Sequence, residues 1–316
     1  MPESTASSPL KALELGGKAA LARALAALER TPEGAETLAL LDAAYAAPRA
    51  QVLGLTGPPG VGKSTLSGRL VAAFRNRGER VGVIAVDPSS RRSGGALLGD
   101  RMRLLTNPED DGVFVRSMAA RDRLGGLADI TVAAMVLMSA LFDKVLIETV
   151  GVGQSETDVA MAADTVVFCV QPASGDSLQF MKAGIVEIPD IAVVTKADLG
   201  EAAQRALADL KGALSLTAPR GPQGWPVAAL AVSASRGDGL DELVALLDRR
   251  AAWLAEHDRL HLARQAQAET WVVEALKARF GRAGLARAAR QEMALAPPPG
   301  ESPFARIADL AAVLDS

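Results

Sequence analysis

The sequence predicts an α/β protein with a doubly wound, mostly parallel sheet, and three observations carry that prediction. From Gln51 onward, short apolar runs at 52–55, 81–86, 113–115, 145–147, 166–170, 191–194 and 227–232 alternate with helical stretches. The runs are near-continuous and β-branched, the pattern of strands covered on both faces. The chain has 316 residues, 49% of them hydrophobic and only 3% aromatic, so it can build a large aliphatic core.

Residues 1–8 are small and polar and predict no element. Leu10 to Ala46 is rich in Ala and Leu, with Leu13, Leu21, Leu25 and Leu28, then Leu38, Leu40 and Leu41, at helical spacing. Pro32-Glu33-Gly34 divides this stretch into two helices. The alternating α/β pattern follows, and the chain turns helical again from Leu240. Ala296-Pro297-Pro298-Pro299-Gly300 is a hard break before a short last helix over 303–314. The organisation predicted is a helical extension over 1–47, an α/β domain over 48–250 and a helical region over 251–316.

Composition excludes several classes. A net charge of −3 argues against a binder of duplex nucleic acid. The single cysteine, Cys169, excludes an internal disulfide framework and a cysteine-cluster metal site; its place in the run 166–170 predicts a core residue. No secretory signal stands at 1–10 and no apolar stretch is long enough to cross a bilayer, so a cytoplasmic protein is expected.

The most informative segment is Gly57-Pro58-Pro59-Gly60-Val61-Gly62-Lys63-Ser64, followed by Thr65. Two glycines, a Lys and a hydroxyl stand at the P-loop spacing, after a predicted strand and before a helical pattern over 65–75. In that context backbone N–H groups converge on a phosphate and the helix N-terminus adds its positive dipole end. Lys63 is expected to reach the β- and γ-phosphates of a nucleotide, and Ser64 to hold Mg²⁺.

Three later strand ends add to this site. Lys144 to Gly151 is an apolar strand ending in Glu148 and then Gly151, the Walker-B position, where a carboxylate meets the metal directly or through water. Gly151 there lets the backbone approach the γ-phosphate. Val86-Asp87-Pro88-Ser89-Ser90 ends the second strand, so Asp87 stands at the crevice where open α/β sheets bind ligands. A Gly-rich stretch from Ser93 to Asp100 follows and offers Asp100 as a further metal-shell candidate. Val194-Thr195-Lys196-Ala197-Asp198 ends another strand where G proteins place Asn-Lys-x-Asp. The Asp198 carboxylate accepts from guanine N1–H and the exocyclic amine, a donor pair that adenine lacks, so GTP/GDP is expected over ATP. The Lys196 stem covers the ring face. Thr195 stands where the Asn is usual, and losing that amide is expected to weaken loop bracing. Ser233-Ala234-Ser235 follows the last strand, where a backbone N–H meets guanine O6.

His257 and His261 are four apart in a helical stretch, flanked by Glu256, Asp258 and Arg259. No third ligand is at hand, and a solvated helix face is the better reading.

Val86-Asp87-Pro88-Ser89-Ser90 with Ser93-Gly94-Gly95 and Gly99-Asp100, then Leu124-Gly125-Gly126-Leu127, then Glu148-Thr149-Val150-Gly151-Val152-Gly153-Gln154-Ser155-Glu156, resemble the MeaB/ArgK-type GTPases. These are G-protein chaperones of adenosylcobalamin-dependent methylmalonyl-CoA mutase, related to the human methylmalonic aciduria type A protein, and the likeness spans nearly the whole chain. The resemblance implies a P-loop GTPase fold of the SIMIBI/G3E class and a homodimer joined through the C-terminal helices. It implies GTP hydrolysis that gates cobalamin delivery to, and protection of, an acyl-CoA mutase. Switch loops then fall at 88–100 and 151–157. A third resembles the segment 175–182, with Asp176, Gln179 and Lys182 at the mutase interface. Thr195, Arg91-Arg92 and the segment 171–177 depart from the family pattern. They leave a relative such as a hydroxyisobutyryl- or isobutyryl-CoA mutase open as the client.

Asp87, Asp100 and Glu148 are expected to organise the metal and its waters. Gln154 either positions the attacking water or makes a switch contact. Basal hydrolysis is expected to be slow, with Arg116, Arg121 and Arg123 candidates for completing the site in a complex. Two alternatives stay open: a P-loop kinase of the arginine/ornithine-transport type, and a nickel-insertion GTPase.

Overall fold

A computed structural model describes residues 9–88, 107, 109–120, 129–149, 159–172, 189–215 and 224–315, and the chain divides into two compact units.

The first unit takes residues 51–128 and 144–257. Its described strands are β1 (Gln51–Thr56), β2 (Val81–Pro88), β3 (Val113–Ala120), β4 (Lys144–Glu148), β5 (Thr165–Val170), β6 (Ile191–Val194) and β7 (Ala228–Ala231). They form one seven-stranded sheet in the order β3-β2-β4-β1-β5-β6-β7. Every pairing is parallel. The chain builds outward on one side of β1, returns through β4, then continues on the other side. β1 therefore stands at the point where the winding reverses, and ligands of such sheets bind beyond the carboxyl ends of the strands there.

The pleat decides which residues meet which layer. On one face Leu53, Leu55, Val83, Leu146, Val167, Cys169, Ile191 and Val193 pack against Leu66, Leu70 and Phe74 of α4 (Lys63–Asn76) and Leu243 and Leu247 of a later helix, Leu240–Ala255. On the other face Phe168, Val170, Ala192 and Val194 meet Ala203 and Leu210 of Glu201–Ser215. Near-complete burial on both faces explains the unbroken apolar runs. Beyond the strands' opposite ends, Arg250 bonds Asp190 at 2.8 Å and lies over the rings of Trp225 and Trp253, at 5.3 and 4.4 Å from their centres.

The second unit takes residues 1–50, 129–143 and 258–316. Its first helices are α1 (Pro9–Leu15), α2 (Gly17–Arg30) and α3 (Ala35–Ala46). Three helices stand where the hydrophobic spacing predicts two, because Gly17 takes φ +58° and breaks the first run. The predicted break at Pro32-Glu33-Gly34 separates α2 from α3. The helix α5 (Asp129–Ser139) belongs to this unit; the Ser139 carbonyl accepts from the amides of Arg49 and Ala50 at 2.8 and 2.9 Å. With α6 as Glu201–Ser215 and α7 as Leu240–Ala255, the remaining α-helices among the described residues are α8 (Arg259–Arg290) and α9 (Pro303–Asp315). Val272, Leu276 and Ala288 of α8 bury against Leu310 and Leu314 of α9. Arg279 pairs with both Glu33 and Asp315 at 2.7 Å, and the Ser302 hydroxyl donates to Asp42.

Candidate nucleotide-binding site

The turn after β1 is held open by glycine geometry. Gly57, Gly60 and Gly62 take φ of +137°, +74° and +104°. At Gly57 the close approach adds to the torsion, since a Cβ there would lie 2.2 Å from the Cys169 carbonyl oxygen. Gly62 precedes the first residue of α4 and its carbonyl accepts from the Leu66 amide at 3.0 Å, so Lys63 and Ser64 open the helix. Lys63 is buried, and its ammonium donates to the carbonyls of Gly57 and Pro58 at 2.6 and 3.0 Å. The one cation of the loop is thus held against the turn by the loop's own oxygens.

β4 delivers the carboxylate. Glu148 pairs in register with Leu55 of β1 and is buried. The Ser64 hydroxyl donates to its Oε1. Thr149 continues the strand toward the P-loop, its amide on the Leu55 carbonyl at 3.1 Å and its hydroxyl 3.1 Å from that of Thr56. β2 lies beside β4 with Ala85 opposite Glu148, so Asp87 stands two residues further along at the same end of the sheet. A hydroxyl and a carboxylate meeting at a helix N-terminus are hard oxygen donors of the kind Mg²⁺ takes, so Ser64 and Glu148 fit that ion.

The base loops converge from β6 and β7. Thr195 is buried, and its hydroxyl lies 2.7 Å from the Val61 carbonyl oxygen and 3.0 Å from that of Val170. The bracing expected to be weakened is therefore supplied by a hydroxyl in place of an amide. Lys196 takes the left-handed conformation, and its ammonium donates to Gly60 at 3.1 Å and to Gln171 at 2.7 Å. Asp198 is exposed, and its Oδ1 accepts from Ser233 at 2.6 Å and from Ser235 at 3.3 Å. The Ser233 hydrogen bond holds that carboxyl below the usual carboxylate range, with its own backbone amide, Ser235 and the Arg236 charge acting the same way. Beneath the site, burial pushes the Cys169 thiol up to about 12, partly offset by the charge of Lys63 and reinforced by that of Glu148.

The structure thus brings Gly57 to Thr65, Glu148, Asp87, Thr195, Lys196, Asp198, Ser233 and Ala234 to one end of the sheet. Asp100, Gly151, Gln154, Arg121, Arg123, Asp176, Gln179 and Lys182 lie outside the described residues, as does the side chain of Asp87. Arg116 stands in β3, opposite Ile84. His257 and His261 do not share a helix, because His257 sits at φ +54° in the kink between α7 and α8. Two groups escape sequence reasoning: Gln171, which meets Lys196, and Arg69 of α4, which donates to the carbonyls of Ala234 and Ser235 at 2.6 and 3.0 Å. Arg69 belongs to no motif, and Gln171 opens the segment 171–177 that departs from the family pattern.

A central strand passing through a glycine turn into a Lys-Ser helix, with a carboxylate on the neighbouring strand and an Asp loop beyond, defines a P-loop nucleotide-binding protein. A family model described as Methylmalonyl Co-A mutase-associated GTPase MeaB matches residues 21–288, and the chain belongs to this family. It is accordingly a P-loop GTPase. A GTPase-family protein of Pyrococcus horikoshii is 44% identical over 222 residues, covering 70% of each chain. The mitochondrial methylmalonic aciduria type A homolog of Mus musculus is 37% identical over 273 residues, covering 81% of this chain and 66% of its own length. The crystal structure of an LAO/AO transport system kinase aligns with a TM-score of 0.68 at 27% identity, covering 100% of this chain and 99% of that one.

Proposed function

We propose that this GTPase is a G-protein chaperone that gates adenosylcobalamin delivery to, and protection of, methylmalonyl-CoA mutase or a related acyl-CoA mutase. The guanine part of this reading rests on Asp198, whose carboxylate is oriented by Ser233 in a loop bonded to the P-loop through Thr195 and Lys196. The mutase part is supported by the match to a mutase-associated GTPase family over residues 21–288.

The residues divide the work. The backbone N–H groups of the non-proline residues of 57–65 and the Lys63 ammonium bind the β- and γ-phosphates, so Lys63 exchanges its bonds to Gly57 and Pro58 for bonds to phosphate oxygens of higher charge. Ser64, Glu148 and Asp87, with Asp100, hold Mg²⁺ and its waters. When bound, that ion neutralises charge on the transferring phosphoryl group. Asp198 accepts from N1–H and the 2-amino group of guanine, the Lys196 stem covers the ring, and the Ala234 amide meets O6. Gly151 approaches the γ-phosphate, and Gln154 positions the water or makes a switch contact. The active form in this reading is a cytoplasmic homodimer joined through the C-terminal helices. No described helix is long and apolar enough to cross a membrane.

The test is GTP hydrolysis by the purified chain, alone and with each candidate cobalamin-dependent acyl-CoA mutase, with ATP as control. Stimulation by one mutase with GTP preferred is expected. A rate indifferent to every mutase refutes the chaperone role, and a Lys63→Ala variant hydrolysing at the wild-type rate refutes the site. The likeness to the transport system kinase favours one alternative, phosphoryl transfer to an acceptor. Labelled γ-phosphate would then appear on that acceptor and not only as free phosphate.

A further inference from the structure

Among the described residues, three connections join the P-loop and its helix to the base loops. Thr195 to Val61 and Lys196 to Gly60 come from the Asp198 loop. The third comes from Arg69, six residues after Lys63 on α4 and outside every recognised motif. Its Nε donates to the Ala234 carbonyl at 2.6 Å and its Nη2 to the Ser235 carbonyl at 3.0 Å. A planar fork on two successive carbonyls fixes both the position and the tilt of the intervening peptide, which a Lys cannot do. Among the described residues, the loop's other bonds lie within the base region. The Ser233 amide donates to Asp238 at 2.9 Å and the Gly237 amide to Ser233 at 2.7 Å. The Ser233 hydroxyl donates to Asp198 at 2.6 Å.

We propose that Arg69 is a positioning residue for base recognition, setting the distance between the phosphate-binding helix and the amide that reads purine position 6. The inference rests on the guanine reading above. A nucleotide presents its phosphates and its base at linked positions, so the two subsites reinforce each other only when their spacing is held before binding. Arg69 holds it from the helix that begins with Lys63 and Ser64. Removing the fork lets the loop drift and weakens the position-6 contact.

The test measures binding of GDP, 6-thio-GDP and IDP, with ADP as the control, to the wild type, Arg69→Ala and Arg69→Lys. 6-Thio-GDP keeps N1–H and the 2-amino group but offers sulfur, a weaker acceptor, at position 6. IDP keeps O6 and N1–H and lacks the 2-amino group. Arg69→Ala is expected to bind GDP about tenfold more weakly. It is expected to lose most of the preference for GDP over 6-thio-GDP while keeping that for GDP over IDP, with partial recovery in Arg69→Lys. Arg69 is exposed, so the nucleotide-free melting temperature should stay within about 2 °C of wild type. A wild type that prefers GDP to ADP, with Arg69→Ala keeping full discrimination at position 6 or weakening all three ligands in parallel, overturns the role of Arg69 alone. A wild type that binds ADP as tightly as GDP overturns the guanine reading and this inference with it.

Discussion

The Thr195 hydroxyl lies 2.7 Å from the Val61 carbonyl oxygen, joining the end of β6 to the middle of the P-loop. Thr195→Val keeps the shape and deletes the donor, leaving a buried carbonyl without it. GDP affinity is expected to fall several-fold, about 1 kcal/mol, while Thr195→Ser stays near wild type. Calorimetric titration of the two variants reads the difference, and an unchanged affinity in Thr195→Val would remove the bracing role.

Ser64 and Glu148 meet directly, one opening α4 and the other closing β4. Glu148→Gln preserves an acceptor for the hydroxyl but removes the charge. Nucleotide binding without magnesium should stay close to wild type, whereas the gain in affinity on adding magnesium should shrink. Turnover is expected to fall about 10²-fold, the scale of removing one preorganised charge-stabilising group. GDP titrations across a magnesium series test this; an unaltered magnesium dependence contradicts the assignment.

Gly57 and Gly60 both take positive φ, yet only Gly57 faces a neighbouring backbone oxygen at 2.2 Å from its would-be Cβ. Gly60→Ala should cost about 1 kcal/mol of stability from the torsion alone. Gly57→Ala adds the clash with Cys169 and should cost at least about 2 kcal/mol more, with nucleotide binding lost. Denaturant unfolding of the pair ranks them, and equal costs would show that the contact yields freely.

Burial pushes the Cys169 thiol up to about 12, so the native thiol should resist a disulfide reagent at pH 8 and react once the chain is unfolded. The folded state binds the proton more tightly than the unfolded state. The corresponding stability is therefore complete below the unfolded pKa, about 8.5, and is lost as pH rises toward 12. The stability difference between wild type and Cys169→Ala should narrow between pH 8 and 10.5. Rapid labelling of the native protein would contradict this.

The strands are legible in the chain because their residues are covered on both faces, so hydropathy alone marks 166–170 and 191–194. Their ends are less so. β2 and β3 run on to Pro88 and Ala120 because Asp87 pairs with Ala119 and Pro88 with Ala120, and pairing leaves no trace in hydropathy. The break at Gly17 is a backbone torsion inside an unbroken Ala/Leu stretch. Residues 57–64 are contiguous and so readable as a motif. The bonds from Thr195 to Val61 and from Arg69 to Ala234 span 134 and 165 residues, and no local pattern of residue types announces them.

The helical unit also has a history in time. Asp42 and Ser302 are bonded across 260 residues, and Glu33 and Arg279 across 246. A ribosome adding about 5–20 residues per second releases α3 roughly 13–52 s before the partner of Asp42 exists. The nucleotide-binding sheet has by then been synthesised in full. During that interval α3 waits without α9, the late helix it packs against, so the slowest-completed body of this protein is the one built from the first and last described helices.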